Sequence, residues 1–184
     1  RYIGETGVVR DLNLEGEILP GGSKNMVGGV AGENNGTVEN CSFSGSITGA
    51  DNIGGIVGSA PYSEGSSKVI TNCQNIGTVL NSGYFGAGIC GSCDQITISN
   101  CQNYGAVGGT GDCAGGIVGA VYASATLTNC TNMGLVKGKT NLGGIAYSNK
   151  GSVSSCKNYG AFTLTKDTGT VAADGIVHTN EGSV

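Results

Sequence analysis

One motif of roughly 30 residues recurs at least five times along this chain, with the same residue types in the same order. Its clearest copies hold a Gly-Gly-Ile-Val-Gly-like segment, a variable loop, an apolar residue, then Asn-Cys-x-Asn-x-Gly and a final apolar residue. The cysteines form a column, Cys41, Cys73, Cys101, Cys130 and Cys156. Three positions earlier stands an apolar column of Val38, Ile70, Ile98, Leu127 and Val153, extended by Val9 and Val184. Successive members of that column are 29, 32, 28, 29, 26 and 31 residues apart, so the unit keeps its length while its loops absorb the differences. A fixed period in this range predicts a solenoid.

The copies align with one another and show what each column tolerates. Leu12 occupies the cysteine column in the first copy, and Leu14 and then Phe43 occupy the positions later held by Asn75, Asn103, Asn132 and Asn158. Positions that accept Leu, Phe, Cys and Asn but no charge are interior. The cysteines therefore read as small buried hydrophobes. The asparagines read as an internal ladder, each amide bonded to those one coil above and below. A buried amide without partners is costly, so such a ladder is continuous wherever it is dry.

Short runs such as Gly116-Ile117-Val118 and Thr126-Leu127-Thr128 are rich in β-formers, bounded by Gly, Asn and Ser, and too short for helices. Each coil is expected to hold about three such strands. Glycine supplies 36 of the 184 residues, many of them in Gly-Gly corners that need close backbone approach. The expected fold is an all-β, right-handed parallel β-helix of about six coils of roughly 29 residues, a single repeat domain over 1–184. Because Gly182-Ser183-Val184 matches Gly151-Ser152-Val153, the chain is expected to be a fragment of a longer repeat protein.

Charge narrows the partners. A net charge of −4, with 9 Lys and Arg and no basic cluster, argues against nucleic acid and against an anionic membrane. No apolar run is long enough to span a bilayer, so membrane insertion is not expected.

The segments Gly28-Gly29-Val30-Ala31-Gly32, Gly54-Gly55-Ile56-Val57-Gly58 and Gly115-Gly116-Ile117-Val118-Gly119, each followed by a loop and a Gly-x-Val strand, resemble the GLUG-motif repeats of bacterial secreted and surface proteins. Such repeats also occur in the stalks of immunoglobulin-A-cleaving metallopeptidases. The resemblance runs from Gly28 to Gly160 and implies an extracellular, cell-surface array. No catalytic residue carries over: those peptidases need a His-Glu-x-x-His zinc motif, and the single histidine here, His178, precedes Thr179-Asn180-Glu181.

Eight cysteines in a secreted chain ordinarily mean disulfides. Five of them, however, lie in register one coil apart, where directly opposed pairs bond with strain. Cys90 and Cys93 have redox-motif spacing without a following helix, which leaves a packing role and a loop-rigidifying bridge both open, and Cys113 is equally undecided. No metal site is expected, since neither a second Cys pair nor nearby histidines are present. Asp51, Asp112 and Asp174 precede glycine corners and read as turn residues. The other acidic residues are scattered, so neither catalytic residues nor a cofactor are expected.

One column offers a binding surface. Ile76, Tyr104, Met133 and Tyr159 each follow a ladder asparagine, and because strand side chains alternate, an inward asparagine places its neighbour outward. The opposing reading has the chain turn at the asparagine and shelter these residues under a loop. The 61–65 insertion, Pro61-Tyr62-Ser63-Glu64-Gly65, adds Tyr62, which is expected to contact a ligand together with Tyr104 and Tyr159. The function expected is a non-catalytic spacer and adhesion module whose partner is a glycan or protein of a host or neighbouring cell, alongside the adjacent domains of its parent. The alternative is an accessory segment of an extracellular enzyme that cleaves glycans or peptides.

Overall fold

A computed structural model describes residues 2–20, 24–65, 67–165 and 172–184. Among these the chain is all β, with every strand pairing parallel and no helix. It winds through about six coils and builds four sheets that run the length of the stack.

One coil illustrates the path. Ile53–Gly54 lies in a fourth face, Val57–Ala60 in the first, Lys68–Thr71 in the second, and Gln74–Asn75 with Thr78–Asn81 in the third. A coil thus holds five short segments, more than the three expected. The extra breaks come from Gly77 and its equivalents in the later coils, where the third face is interrupted, and from the Gly-Gly corner, which separates the fourth face from the first. In the first two coils the third-face strands Asn13–Ile18 and Ser42–Gly49 run unbroken.

Registers are held coil after coil. On the second face Val38, Ile70, Ile98, Leu127 and Val153 are direct neighbours and fully buried or nearly so. Val9 joins them at one end, partly buried. Ser183 bridges Ser152 at the other, and Val184 beside it is exposed. The corner leading into the first face adds Ile56, Ile89, Ile117 and Ile145, all at 0% exposure. A smaller apolar cluster of Val107, Val136, Ala114 and Leu142 fills the space between the third and fourth faces.

The first asparagine of each Asn-Cys pair sets a corner. Asn40, Asn72, Asn100 and Asn129 have φ of 51 to 54°, as does Ser155 at 52°, with Asp11 at 58° in the first coil. Asn and Asp tolerate this left-handed conformation better than other residues with a Cβ. The turn swings the chain from the second face into the third. The following Cys41, Cys73, Cys101 and Cys130 then point into the core, each at 1% exposure or less.

The second glycine of the Gly-Gly corner has an equally specific cause. A Cβ on Gly55, Gly88, Gly116 or Gly144 would lie 2.3–2.5 Å from the side-chain Cγ of Asn75, Asn103, Asn132 or Asn158 respectively. At Gly29 the corresponding neighbour is the ring of Phe43, 2.6 Å away. The corner column and the ladder column are thus two sides of one contact, and only glycine fits opposite the amide.

Candidate ligand-binding face

The asparagine column is a directional chain of amides. Asn75 Nδ2 donates to Asn103 Oδ1, Asn103 Nδ2 to Asn132 Oδ1, and Asn132 Nδ2 to Asn158 Oδ1, each at 2.8 Å. The second hydrogen of each Nδ2 goes to the carbonyl two residues on, at Gly77, Gly105, Gly134 and Gly160. Asn75 Oδ1, at the end that meets Phe43, has no partner among the described residues.

These local bonds close the Asn-x-Gly turn and push the middle residue out. The backbone N–H groups of Ile76, Tyr104, Met133 and Tyr159 donate to Phe43, Asn75, Asn103 and Asn132 at 2.7–2.8 Å, which sets the four in line. They are 55, 43, 44 and 70% exposed, so no loop shelters them. Tyr104 donates its hydroxyl to Gln102 Oε1 at 2.6 Å, which steadies the ring against the sheet. Strand alternation brings Leu135 and Leu80, also exposed, onto the same face.

Tyr62 lies elsewhere. It is exposed on the loop joining the first face to the second, beside Asp94 and Tyr122 around a small cleft of about 210 Å³. The stripe belongs to the third face, so Tyr62 does not join Tyr104 and Tyr159. A loop's length is visible in sequence, but the corner it springs from depends on how the coil folds. Beneath the loop Lys68, 2% exposed and in register with Ile96, donates to the Pro61 carbonyl. Burial lowers its pKa, opposed by the nearby Asp94 carboxylate. Lys68 is the inward anchor of the insertion.

All eight cysteines are free thiols. Cys90 stands between Val57 and Val118, and Cys93 between Ala60 and Val121, both within one strand and fully buried. The bridge between them is not formed. Burial pushes the Cys90 thiol up to about 12 and raises Cys93 and Cys101 well above the ordinary value. The ladder thiols donate to backbone carbonyls, as Cys101 does to Ser99 O at 3.2 Å. Cys156, the last of the column, is half-buried. Cys113 is buried beside Asn141. Among the described residues no group of three His, Cys, Asp or Glu is placed to hold a metal ion.

Two further features escape a reading by columns. A second Asn-x-Gly corner closes the first face: Asn149 Nδ2 donates to Asn180 Oδ1 at 2.8 Å, and Asn34 makes the same local turn with Gly36. Between Asn34 and Asn149 this register holds Ala60, Cys93 and Val121, which hides the pattern and explains Cys93 as an apolar substitute. The other is a row of rings. Phe85 lies 6.1 Å from both Tyr84 and Tyr147, and Tyr147 stacks on His178 at 5.6 Å. His178 Nδ1 is 2.6 Å from Asp174 Oδ2, so the one imidazole is engaged on two sides. Burial and the neighbouring Cys113 push the Tyr147 hydroxyl up to about 12.

The motif at the first complete Gly-Gly corner matches a family model, the GLUG motif, over residues 25–48. Residues 25–48 carry a GLUG motif. They span the Gly28-Gly29 corner, the Asn40 turn, Cys41 and Phe43, so the GLUG motif contains both partners of the corner contact. No curated protein sequence matches the chain. Among solved structures, the chain resembles a protein of Bacteroides ovatus provisionally named as an immunoglobulin A1 protease. The TM-score is 0.54 at 17% identity, over 100% of this chain and 68% of the other. At that identity the likeness concerns the fold: a GLUG-bearing solenoid winds as that protein does.

Proposed function

We propose that this chain is a rigid, non-catalytic repeat module of an extracellular bacterial surface protein, which spaces its parent's domains and holds a ligand on its third face. The observation that carries the reading is the stripe of Ile76, Tyr104, Met133 and Tyr159, one exposed apolar or aromatic side chain per coil on a framework fixed by the amide ladder. Aligned rings of this kind offer flat apolar contact to sugar or peptide groups at low entropic cost. The GLUG motif supports the extracellular setting.

A second reading makes the chain an accessory segment of a larger extracellular enzyme acting on peptides or glycans, and the fold likeness to a protein named as a protease favours it. A wall-anchor signal in the flanking polypeptide supports the first reading, and a zinc or paired-carboxylate domain the second.

Screening the intact chain on a glycan array, beside a Tyr104→Ala/Tyr159→Ala variant, tests the binding role. We expect the variant to keep its fold and lose about tenfold or more in affinity for whatever the chain captures. Equal binding by both proteins leaves only the spacer.

A further inference from the structure

We infer that the third face takes an acidic glycan, an extended saccharide bearing carboxylate or sulfate groups, seated across the stripe and a groove along its far edge. The inference rests on the reading of this face as a ligand surface and adds the chemistry of the ligand.

The groove, about 850 Å³, opens where one column of side chains is interrupted. Leu80, Gly108, Lys137 and Thr163 are successive outward positions, one per coil, beyond Thr48. Gly108 has φ +100°, and a Cβ there would meet the Lys137 carbonyl at 1.7 Å, so the gap in the wall is built into the backbone. Leu80 forms one bank and Lys137 with Lys139 the other, with Thr110 in the coil between and Thr165 in the coil beyond the lysines. A volume of this size is typical of small-ligand sites.

Charge is distributed along the face in one sense. The outward residues of the first coil include Glu15 and Glu17, and those of the second are Ser44, Ser46 and Thr48. In the later coils the outward positions of this face hold no carboxylate, while Lys137 and Lys157 stand there and Lys139 lines the groove. A chain with only 9 cations and a net charge of −4 therefore places three of them around its aromatic stripe. Apolar sugar faces match Ile76, Tyr104 and Met133, and acidic substituents match the ammonium groups of Lys137 and Lys139. Nucleic acid fits poorly, since strong phosphate binding uses about 6–10 cationic contacts.

Titration calorimetry with the whole chain tests this, using an oligogalacturonate, a heparin-derived oligosaccharide and a neutral cello-oligosaccharide as probes. We expect one acidic probe to bind, the neutral one to fail, and salt to weaken the complex. Lys137→Ala/Lys139→Ala should weaken binding about tenfold or more, while Lys137→Arg/Lys139→Arg keeps it. Thr110→Trp, which fills the groove and spares the lysines, should abolish it. The carboxylate and sulfate probes distinguish the two sources of acidity. Failure of both acidic probes, or full acidic binding by the Lys-to-Ala variant, overturns the inference. If the neutral probe binds instead, and does so through Tyr104, the ligand-face reading stands while the acidic one falls. If acidic binding needs the lysines but not Tyr104 and Tyr159, the acidic ligand of the groove stands and its seat on the stripe is overturned.

Discussion

A Cβ on Gly88 would lie 2.3 Å from Cγ of Asn103, so the glycine corner and the amide ladder are one contact seen from its two sides. The neighbouring Gly116 carbonyl, 2.4 Å from the same point, leaves the extra methyl nowhere to go. Gly88→Ala should therefore destabilise the chain by roughly 1–3 kcal/mol or more. Gly175 occupies the same column in the last coil with nothing within 4 Å of its Cβ position, and Gly175→Ala should be nearly silent. Thermal melts of the two variants check the contrast. Equal losses would show that corner glycines serve only backbone freedom.

The ladder has a polarity that ranks its members. Asn103→Leu removes two inter-amide bonds, one to Asn75 and one to Asn132, and should cost on the order of 1–3 kcal/mol. Asn75→Leu removes one such bond together with an oxygen that already lacks a partner, and should cost about half as much. At ~2–4 °C per kcal/mol the difference is resolvable by calorimetry. An unchanged melting temperature for Asn103→Leu would sink the ladder as a source of stability.

Burial of the Cys90, Cys93 and Cys101 thiols makes the fold alkali-sensitive. Cys90 holds its proton up to about pH 12 in the folded chain, whereas the unfolded thiol releases it near its ordinary value. Above that value the unfolded state binds fewer protons than the native one, so stability falls as pH rises. Each thiol so raised contributes a slope of about 1.4 kcal/mol per pH unit in this window. Denaturant midpoints should be flat below about pH 8 and decline steadily above about pH 9. Cys90→Val matches Val57 and Val118 in its register and should keep the fold while reducing the decline. Native labelling with iodoacetamide should modify Cys156 alone, and all eight thiols after unfolding. A flat alkaline profile, or rapid native labelling of Cys101, contradicts the burial.

Much of this architecture is legible in the sequence because the copies align with one another. Residues that recur at the same place around the coil, such as Ile98 with Leu127 or Asn103 with Asn132, announce themselves by register. What recurs without an obvious chemical reason does not. The first Asn of Asn-Cys was visible in every middle copy, but its role is a left-handed φ, which only the backbone shows. The Asn34 and Asn149 corner is interrupted by Ala60, Cys93 and Val121, so no column survives to be read. Tyr147 and His178 share one register position in successive coils but differ in chemistry, and Phe85 comes from another column and meets Tyr147 only through the winding of the chain. The sequence points to Tyr62 as a partner of the stripe because the 61–65 insertion lengthens its coil and carries an aromatic, yet its loop leaves a different corner. Its placement required the four-sheet cross-section.

Hydroxyl-radical footprinting of the intact chain, with and without a saccharide that it binds, tests the proposed ligand face most directly. The side chains to follow are already exposed and oxidisable: Tyr104, Met133 and Tyr159 on the third face, against Tyr62, Tyr122 and Tyr84 elsewhere. The account predicts that ligand protects the first three and leaves the others unchanged. Protection confined to Tyr62 and Tyr122, or to Tyr84, would contradict it and place the binding surface on another edge of the rod.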